Sequence, residues 1–531
     1  MAGNKESSGT GLPQWTSKEE KNGLDPLGMQ TTSIALYQQL LPGIGNVTVR
    51  MRYYGFYTWL ADTYAKEVGS TDVERWCIYV RRAEALYALT AIHITGETGV
   101  AGTEWATAKL SDSDTELIEF HLSTDREGDH RQYLKQKFGV FGAAYGAQLV
   151  EIGLLEYLKN GHEIPVPTRG AGDATAQAFR DAIGDAGAIF LNAAQLGRVT
   201  KTELKLLECM LPSRIRDGGS ERKMYEDLLF GKAQTQKSGA SLRSRTLRLI
   251  LHAARSDAKS VAANDVRWAL YASRSKAGVI LPAFPQADEE LRFAWSVYQA
   301  NDLLHASYEA LMKFSLDILG TKPSGASMQA LVGEVVERVK RALHGIGAST
   351  WAQLLKETSL SENARAPEDI ASEFRLLNGV LKNSQATAIS DDECARSAVI
   401  LLAVLNKRFS PLIGDIAQAY PVLTAHSYTR SIVTEIKFLE SHSQEPLQTM
   451  LTQLISQRII ERHIWVAIQK FRQGDYTFLF EAEEGKVRVR QKDGPILTNP
   501  RLSSAITFLT DIHLLGKQGP TAAGIAVLEA A

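Results

Sequence analysis

Asp302, His305 and Glu309 stand at i, i+3 and i+7 within a stretch of helical periodicity, so one face carries two carboxylates and an imidazole. Such a set is half of a carboxylate-bundle metal site, whose other half must come from a second helix, and no matching half is evident. The plainer alternative is a capped or surface histidine. Asp475 with Glu484, Gly485 and Lys486 imitates the acid and E-x-K elements of restriction-type nucleases. That chemistry needs the E-x-K on a strand in a sheet core, and here it falls at a hairpin turn. His121 and His130 flank the polar turn STDREGD and read as surface residues. The chain has no G-x-x-x-x-G-K-[ST] phosphate loop and no G-x-S-x-G nucleophile elbow. The expectation is therefore no catalytic residue, no metal and no cofactor. A metal-dependent nuclease using the residues above is the alternative.

Phosphate chemistry has better candidates. From Arg198 to Lys276 there are 17 lysines and arginines against 8 aspartates and glutamates, whereas the whole chain carries a formal charge of -1. Any nucleic-acid contact must then come from a local patch. Within SLRSRTLRLILHAARSDAK, Arg245, Arg248, His252 and Arg255 share one helical face, and Leu247, Leu249, Ile250 and Leu251 supply the apolar side. Aligned arginines suit backbone phosphates. The alternative is a solvated basic face balanced by an acidic neighbour such as Glu289 and Glu290. A second basic row is Lys486, Arg488 and Arg490, alternating with Val487 and Val489 on the return strand of a hairpin that turns at Glu484-Gly485.

The elements that must position these residues are mostly helices. Leu447, Leu451, Leu454, Ile455 and Ile459 form one stripe of a long amphipathic helix. Leu291, Trp295 and Tyr298 stripe a helix predicted over Asp288–Leu319 and closed by Gly320. Ser70 to Ile94 reads as a helix capped by Thr71 or Asp72. Asn499 followed by Pro500 predicts the start of a further helix, and Thr521 that of a last one. Pro- and Gly-bearing breaks at 159–175, 277–290 and 320–327 divide the chain. The expected organisation is a flexible leader over 1–22 with Trp15 as its one anchor, and an N-terminal helical domain over 23–158. A linker and basic helical region follow over 159–276, a second helical domain over 277–440, and a C-terminal long helix with a hairpin module over 441–531. The fold class is mainly α, multi-domain, with a small α+β, winged-helix-like C-terminal module in which the hairpin precedes the helix.

The densest block is GLDPLGMQTTSIALYQQLLPGIGNVTVRMRYYGFYTWL, residues 23–60. Pro42-Gly43 is a turn, and Asn46 or Thr48 can cap the helix that follows. On that helix Arg52, Phe56, Trp59 and Leu60 share a face, with Tyr53 and Tyr57 beside it. This is either an arginine-aromatic surface for bases, phosphates or a protein partner, or a core helix whose arginine stems cover aromatic rings.

The block resembles a family of bacterial proteins encoded in anti-phage defence islands. The resemblance lies in Leu41, Pro42, Gly43, Asn46, Thr48, Arg50, Arg52, Tyr53 and Trp59, and in two later stretches, ERHIWVAIQKFRQGDYTFLFE and TNPRLSSAITFLTDIHLL. It covers about a hundred residues at the two ends. It implies a role in defence against phage, beside larger nuclease or helicase subunits of multi-gene systems such as Druantia, and it implies no catalytic residues. Arg50, Arg52, Tyr53 and Trp59 become the expected partner-binding residues. The expected partners are other defence subunits and DNA, with a pure protein-protein adaptor as the third reading.

Composition agrees with a globular cytoplasmic protein. At 531 residues the chain exceeds one ordinary core, and 44% hydrophobic with 22% charged residues is ordinary for globular domains. Three cysteines, Cys77, Cys209 and Cys394, are too few and too scattered for a disulfide framework. The N-terminus has no apolar signal region, and the longest apolar run, Ala398 to Leu405, is far short of the ~20 residues that span a bilayer.

Overall fold

A 35-residue helix, Gln286–Gly320, forms the axis of the protein, and from Ala294 to Leu319 every residue on it is buried. At ~1.5 Å per residue it is about 50 Å long. The computed structural model describes residues 25–94, 96–112, 115–125, 131–158, 163–233, 239–257 and 261–530. The leader with Trp15, and His130, lie outside them. A helix buried all round must be enclosed on all sides. Here Gln30–Leu40, Ala240–Asp257, Ala263–Ala272, Met328–Ala342, Glu373–Leu381 and Asp392–Phe409 enclose it.

Several polar residues on the axis are met by other parts of the chain. Asn301 donates to Thr32 and Ser33 and accepts from the backbone N–H of Ile432. The strap after the hairpin runs along the same axis: Lys492 pairs with Asp317, Ile496 N–H donates to Glu309, and Thr498 donates twice to Asp302. These contacts satisfy buried polar groups and fix the strap's register at once.

The expected helices are present. The axis matches the predicted Asp288–Leu319, Val73–Ile94 follows Asp72, whose carboxylate accepts from Glu74 N–H, and Thr521 caps Ala522–Glu529. Leu447–Phe471 is one long helix with a π-helical segment at Leu454–Ile460, and its predicted apolar stripe is buried. Strands occur, among the described residues, as two-stranded antiparallel pairs. One is Leu155–Tyr157 with Pro165–Pro167, so the break at 159–175 is a hairpin leading into the helix Ala171–Ile183. Another, Phe480–Glu483 with Lys486–Val489, turns at Glu484 and Gly485, both at positive φ as the tight turn demands. It bonds sideways to Ala326 through Val487. Two capping expectations fail. Asn46 and Thr48 do not cap Arg52–Thr63; the Thr48 hydroxyl is spent on Gly45. The helix expected after Asn499 begins at Leu502, because Thr498 is held by Asp302 and Tyr298 and Arg501 takes a left-handed turn.

The core is one continuous cluster from Leu27 to Leu528. The stretch Asp392–Ala419 is long and apolar enough to cross a membrane by length and composition, and 61% of its apolar window is buried inside the protein. Its first part, Asp392–Phe409, packs on the axis and serves as core.

Gly55 sits in the middle of Arg52–Thr63, where alanine would ordinarily help a helix by ~1 kcal/mol. A Cβ there would overlap the Tyr225 hydroxyl and press on Phe179. Gly55→Ala should therefore destabilise the protein, by about 1–3 kcal/mol of overpacking. A urea midpoint at or above wild type would show that the Tyr225 ring simply moves aside.

Candidate nucleic-acid interface

The arginine-aromatic block is interior. Arg52, Tyr53 and Trp59 are 1%, 3% and 1% exposed and Arg50 is 8% exposed, so none presents a surface to a partner. The expected partner-binding assignment of these four is corrected on that ground. Arg52 makes a two-pronged pair with Glu221 at 2.8 and 2.9 Å and donates to the carbonyls of Cys209 and Leu211. Arg50 bridges Glu97 and Asp511 and so ties the N-terminal block to the helix Leu502–Asp511. Tyr53 and Trp59 join a cluster of rings that includes Tyr57, Tyr87, Tyr145, Phe179 and Phe190.

The basic helix Ala240–Asp257 has the predicted sides. Leu247, Leu249, Ile250 and Leu251 are buried, Arg245, Arg248 and His252 are half-buried, and Arg255 is exposed. Asp288 holds Arg245 at 2.6 Å, so the acidic neighbour expected near Glu289 is the residue before it. Much of the positive excess around this helix is used internally. Arg243 is buried and donates to the carbonyls of Pro42, Leu228 and Leu229. Arg267 is buried against Asp302.

The hairpin also alternates as predicted: Lys486, Arg488 and Arg490 are exposed, and Val487 is buried. The opposite strand answers the charge, with Glu483 at 2.8 Å from Arg488 and Glu481 at 3.3 Å from Arg490. Glu484 and Lys486 sit on the exposed turn of this two-stranded unit, so the E-x-K does not lie in a sheet core.

A third basic surface escapes sequence reasoning. His426, Tyr428 and Trp465 form a stack with ring centroids 4.8 and 5.4 Å apart and interplanar angles of 14° and 29°. Tyr428 is 49% and Trp465 37% exposed. The loop before Ile432–Ser441 brings the first two rings, and the helix Glu461–Phe471 brings the third. The stack borders a cavity of about 400 Å³ whose wall includes Asp25, Arg430, Arg462, Gln469 and Lys470.

Basic groups cluster in and behind the wall of this cavity. Arg430 and Arg458 approach Glu435 at 3.7 and 3.6 Å, and the buried Nε of each lacks a hydrogen-bond partner. Arg462 lies over the Trp465 ring at 4.5 Å and donates to Leu27 O. Burial, then the proximity of Arg430, pulls the Arg462 guanidinium down to about 10, so it stays charged at neutral pH. Arg430, Arg458, Arg462 and Lys470 thus gather near Glu435 and Asp25, and Asp475, Glu309 and Asp493 also face Lys470. Rings for stacking beside guanidinium groups suit a base and its phosphate.

Compared with known proteins, the chain matches no family model, no curated protein and no solved structure.

Proposed function

We propose that this protein is an accessory subunit of a bacterial anti-phage defence system, located in the cytoplasm, that binds single-stranded nucleic acid across the His426–Tyr428–Trp465 groove. The observation that carries the binding role is the half-open ring stack beside an arginine cluster. Stacking on aromatic rings is sequence-tolerant, because every base has a π face, and arginines track the backbone. The Arg245, Arg248 and Arg255 face and the Lys486, Arg488 and Arg490 strand are secondary phosphate contacts in this reading, the latter weakened by Glu481 and Glu483. The defence role and the nuclease or helicase partners rest on the resemblance at the two ends of the chain.

Fluorescence anisotropy with labelled oligothymidine at several salt concentrations tests the binding role. Tyr428→Ala and Trp465→Ala should each weaken binding by about 1–3 kcal/mol, roughly 5- to 150-fold. Arg430→Gln should lower the slope of log affinity against log salt by about 0.7. The triple Arg245, Arg248, Arg255 to Gln variant should change duplex more than single-strand binding. Wild type that ignores single strands, or ring variants that bind like wild type, would remove the groove from consideration. Deleting the gene from its operon tests the defence role separately, and unchanged phage plating would end it.

A further inference from the structure

Beneath this groove the N-terminal segment delivers a residue that sequence spacing could not pair with the axis. The ligand-capable atoms of Asp25, His305 and Glu309 all lie within 4.8 Å of one another. His305 and Glu309 come from the axis helix and are 0% and 2% exposed; Asp25 is half-buried and lines the groove. The partner half missing from the Asp302, His305, Glu309 pattern is therefore a loop residue more than 270 positions away.

Two features separate this cluster from a chance grouping of acids. First, His305 Nε2 and Glu309 Oε1 are 2.8 Å apart, and both atoms are buried with no hydrogen-bond partner of ordinary geometry. Side-by-side lone pairs about 3 Å apart are what two ligands of one ion show when each bond is about 2.0–2.2 Å. Unsatisfied buried polar atoms are otherwise costly. Second, both carboxylates are anchored by other bonds. Glu309 Oε2 accepts from Ile496 N–H, and the Asp25 oxygens accept from Met29 and Gln30 N–H, which holds the carboxylate in place. Asp302 Oδ1 stands 3.6 Å from His305 Nδ1 and is itself fixed by Arg267 and Thr498. A carboxylate behind the second ring nitrogen orients a ligating histidine. Lys470 is nearby, but Asp25, Asp475, Glu309 and Asp493 all face it, so the surroundings stay negative.

We propose that Asp25, His305 and Glu309 bind one divalent transition ion. One imidazole with two carboxylates suits Mn2+ or Zn2+ better than the all-oxygen preference of Ca2+ or Mg2+. Asp25 forms part of the groove wall, so the remaining coordination positions would open toward the groove. Asp302, Arg267 and Thr498 are positioning residues. The competing occupant is a proton, with His305 as a buried imidazolium between Glu309 and Asp302.

The test uses the full-length chain stripped with chelator and titrated with Mn2+ alone, followed by electron paramagnetic resonance. One Mn2+ per chain is expected, with nitrogen coupling from a single imidazole. Asp25→Asn and Glu309→Gln should each weaken binding about 10- to 100-fold, the range seen when metal-site residues are altered, and His305→Gln should abolish the nitrogen coupling. Should His305→Gln fail to fold, the half-buried Asp25→Asn, checked by circular dichroism, carries the test with the wild-type spectrum. No stoichiometric Mn2+, Mn2+ without nitrogen coupling, or unchanged affinity in both carboxylate variants overturns the assignment. The outcome is independent of oligonucleotide affinity, so this site and the groove reading fail separately.

Discussion

Arg52→Ala should cost about 3–5 kcal/mol of folding stability, because it strips the partner from a buried carboxylate. The Arg52 guanidinium and the Glu221 carboxylate are both nearly inaccessible, at 1% and 4% side-chain exposure. Burial pulls the Arg52 pKa down, the facing Glu221 pulls it up, and the carboxylate wins, so the guanidinium keeps its charge. Removing the arginine leaves Glu221 in a dry site with only the Tyr225 hydroxyl, and takes the Arg52 donor from the carbonyl of Cys209, while Leu211 O keeps the Arg214 N–H. Replacing both partners by apolar residues, Arg52→Met with Glu221→Leu, avoids the lone charge. It still leaves the Cys209 carbonyl and Tyr225 unpaired, at about 1–3 kcal/mol per unsatisfied group. The double variant should therefore fall short of wild type but lose less than the two single variants added together. Urea unfolding of the four proteins measures this cycle. A loss below about 1 kcal/mol for Arg52→Ala would mean that water reaches Glu221 and the site is not dry.

The same block shows how far the sequence carries. Its alternatives were a binding surface and a core helix, and the packing decides for the core: all twelve residues of Arg52–Thr63 are buried. Dense aromatics signal burial as readily as binding, and one helix cannot say what lies opposite. Elements whose signal is local were legible. The axis helix, the Glu484-Gly485 turn and the sides of Ala240–Asp257 follow from periodicity and turn chemistry within a few residues. The groove and the cation cluster were not legible, because both are built by contacts between distant segments. Arg462 meets Leu27, Trp465 meets Tyr428, and Asp25 meets His305. The only trace was the stretch ERHIWVAIQKF, whose Arg462 and Trp465 shape the groove. Charge excess misled for a related reason. Counting lysines and arginines does not reveal that Arg243 and Arg267 are spent inside the fold, or that Glu481 and Glu483 answer the hairpin's basic row.

Acidification should weaken the attachment of the N-terminal segment through His463. This imidazole is 1% exposed and bridges two segments. Leu479 N–H donates to Nε2 at 3.0 Å, so Nε2 must be the unprotonated nitrogen, and Nδ1–H donates to Pro26 O at 3.0 Å. Protonation would set an N–H against the Leu479 N–H in a dry site. Burial accordingly pulls the pKa down to about 4. For a base whose folded pKa lies below its unfolded value of about 6.5, the stabilisation is complete above that value and is lost as pH falls toward 4. The loss from this group reaches about 3 kcal/mol at pH 4, a large fraction of an ordinary stability. Carboxylates titrate in the same range, so the informative quantity is the difference between wild type and His463→Gln. Glutamine does not titrate here and can still accept from Leu479 or donate to Pro26. It should cost about 1 kcal/mol at pH 7, for an imperfect hydrogen bond. Between pH 6.5 and 4 its stability should then fall by about 3 kcal/mol less than wild type's. Urea midpoints at pH 7, 5.5 and 4 for both proteins measure the two slopes, and equal slopes would mean that His463 opens to solvent before it takes up its proton. Because Pro26 adjoins Asp25, the same acid range should also loosen the wall of the groove.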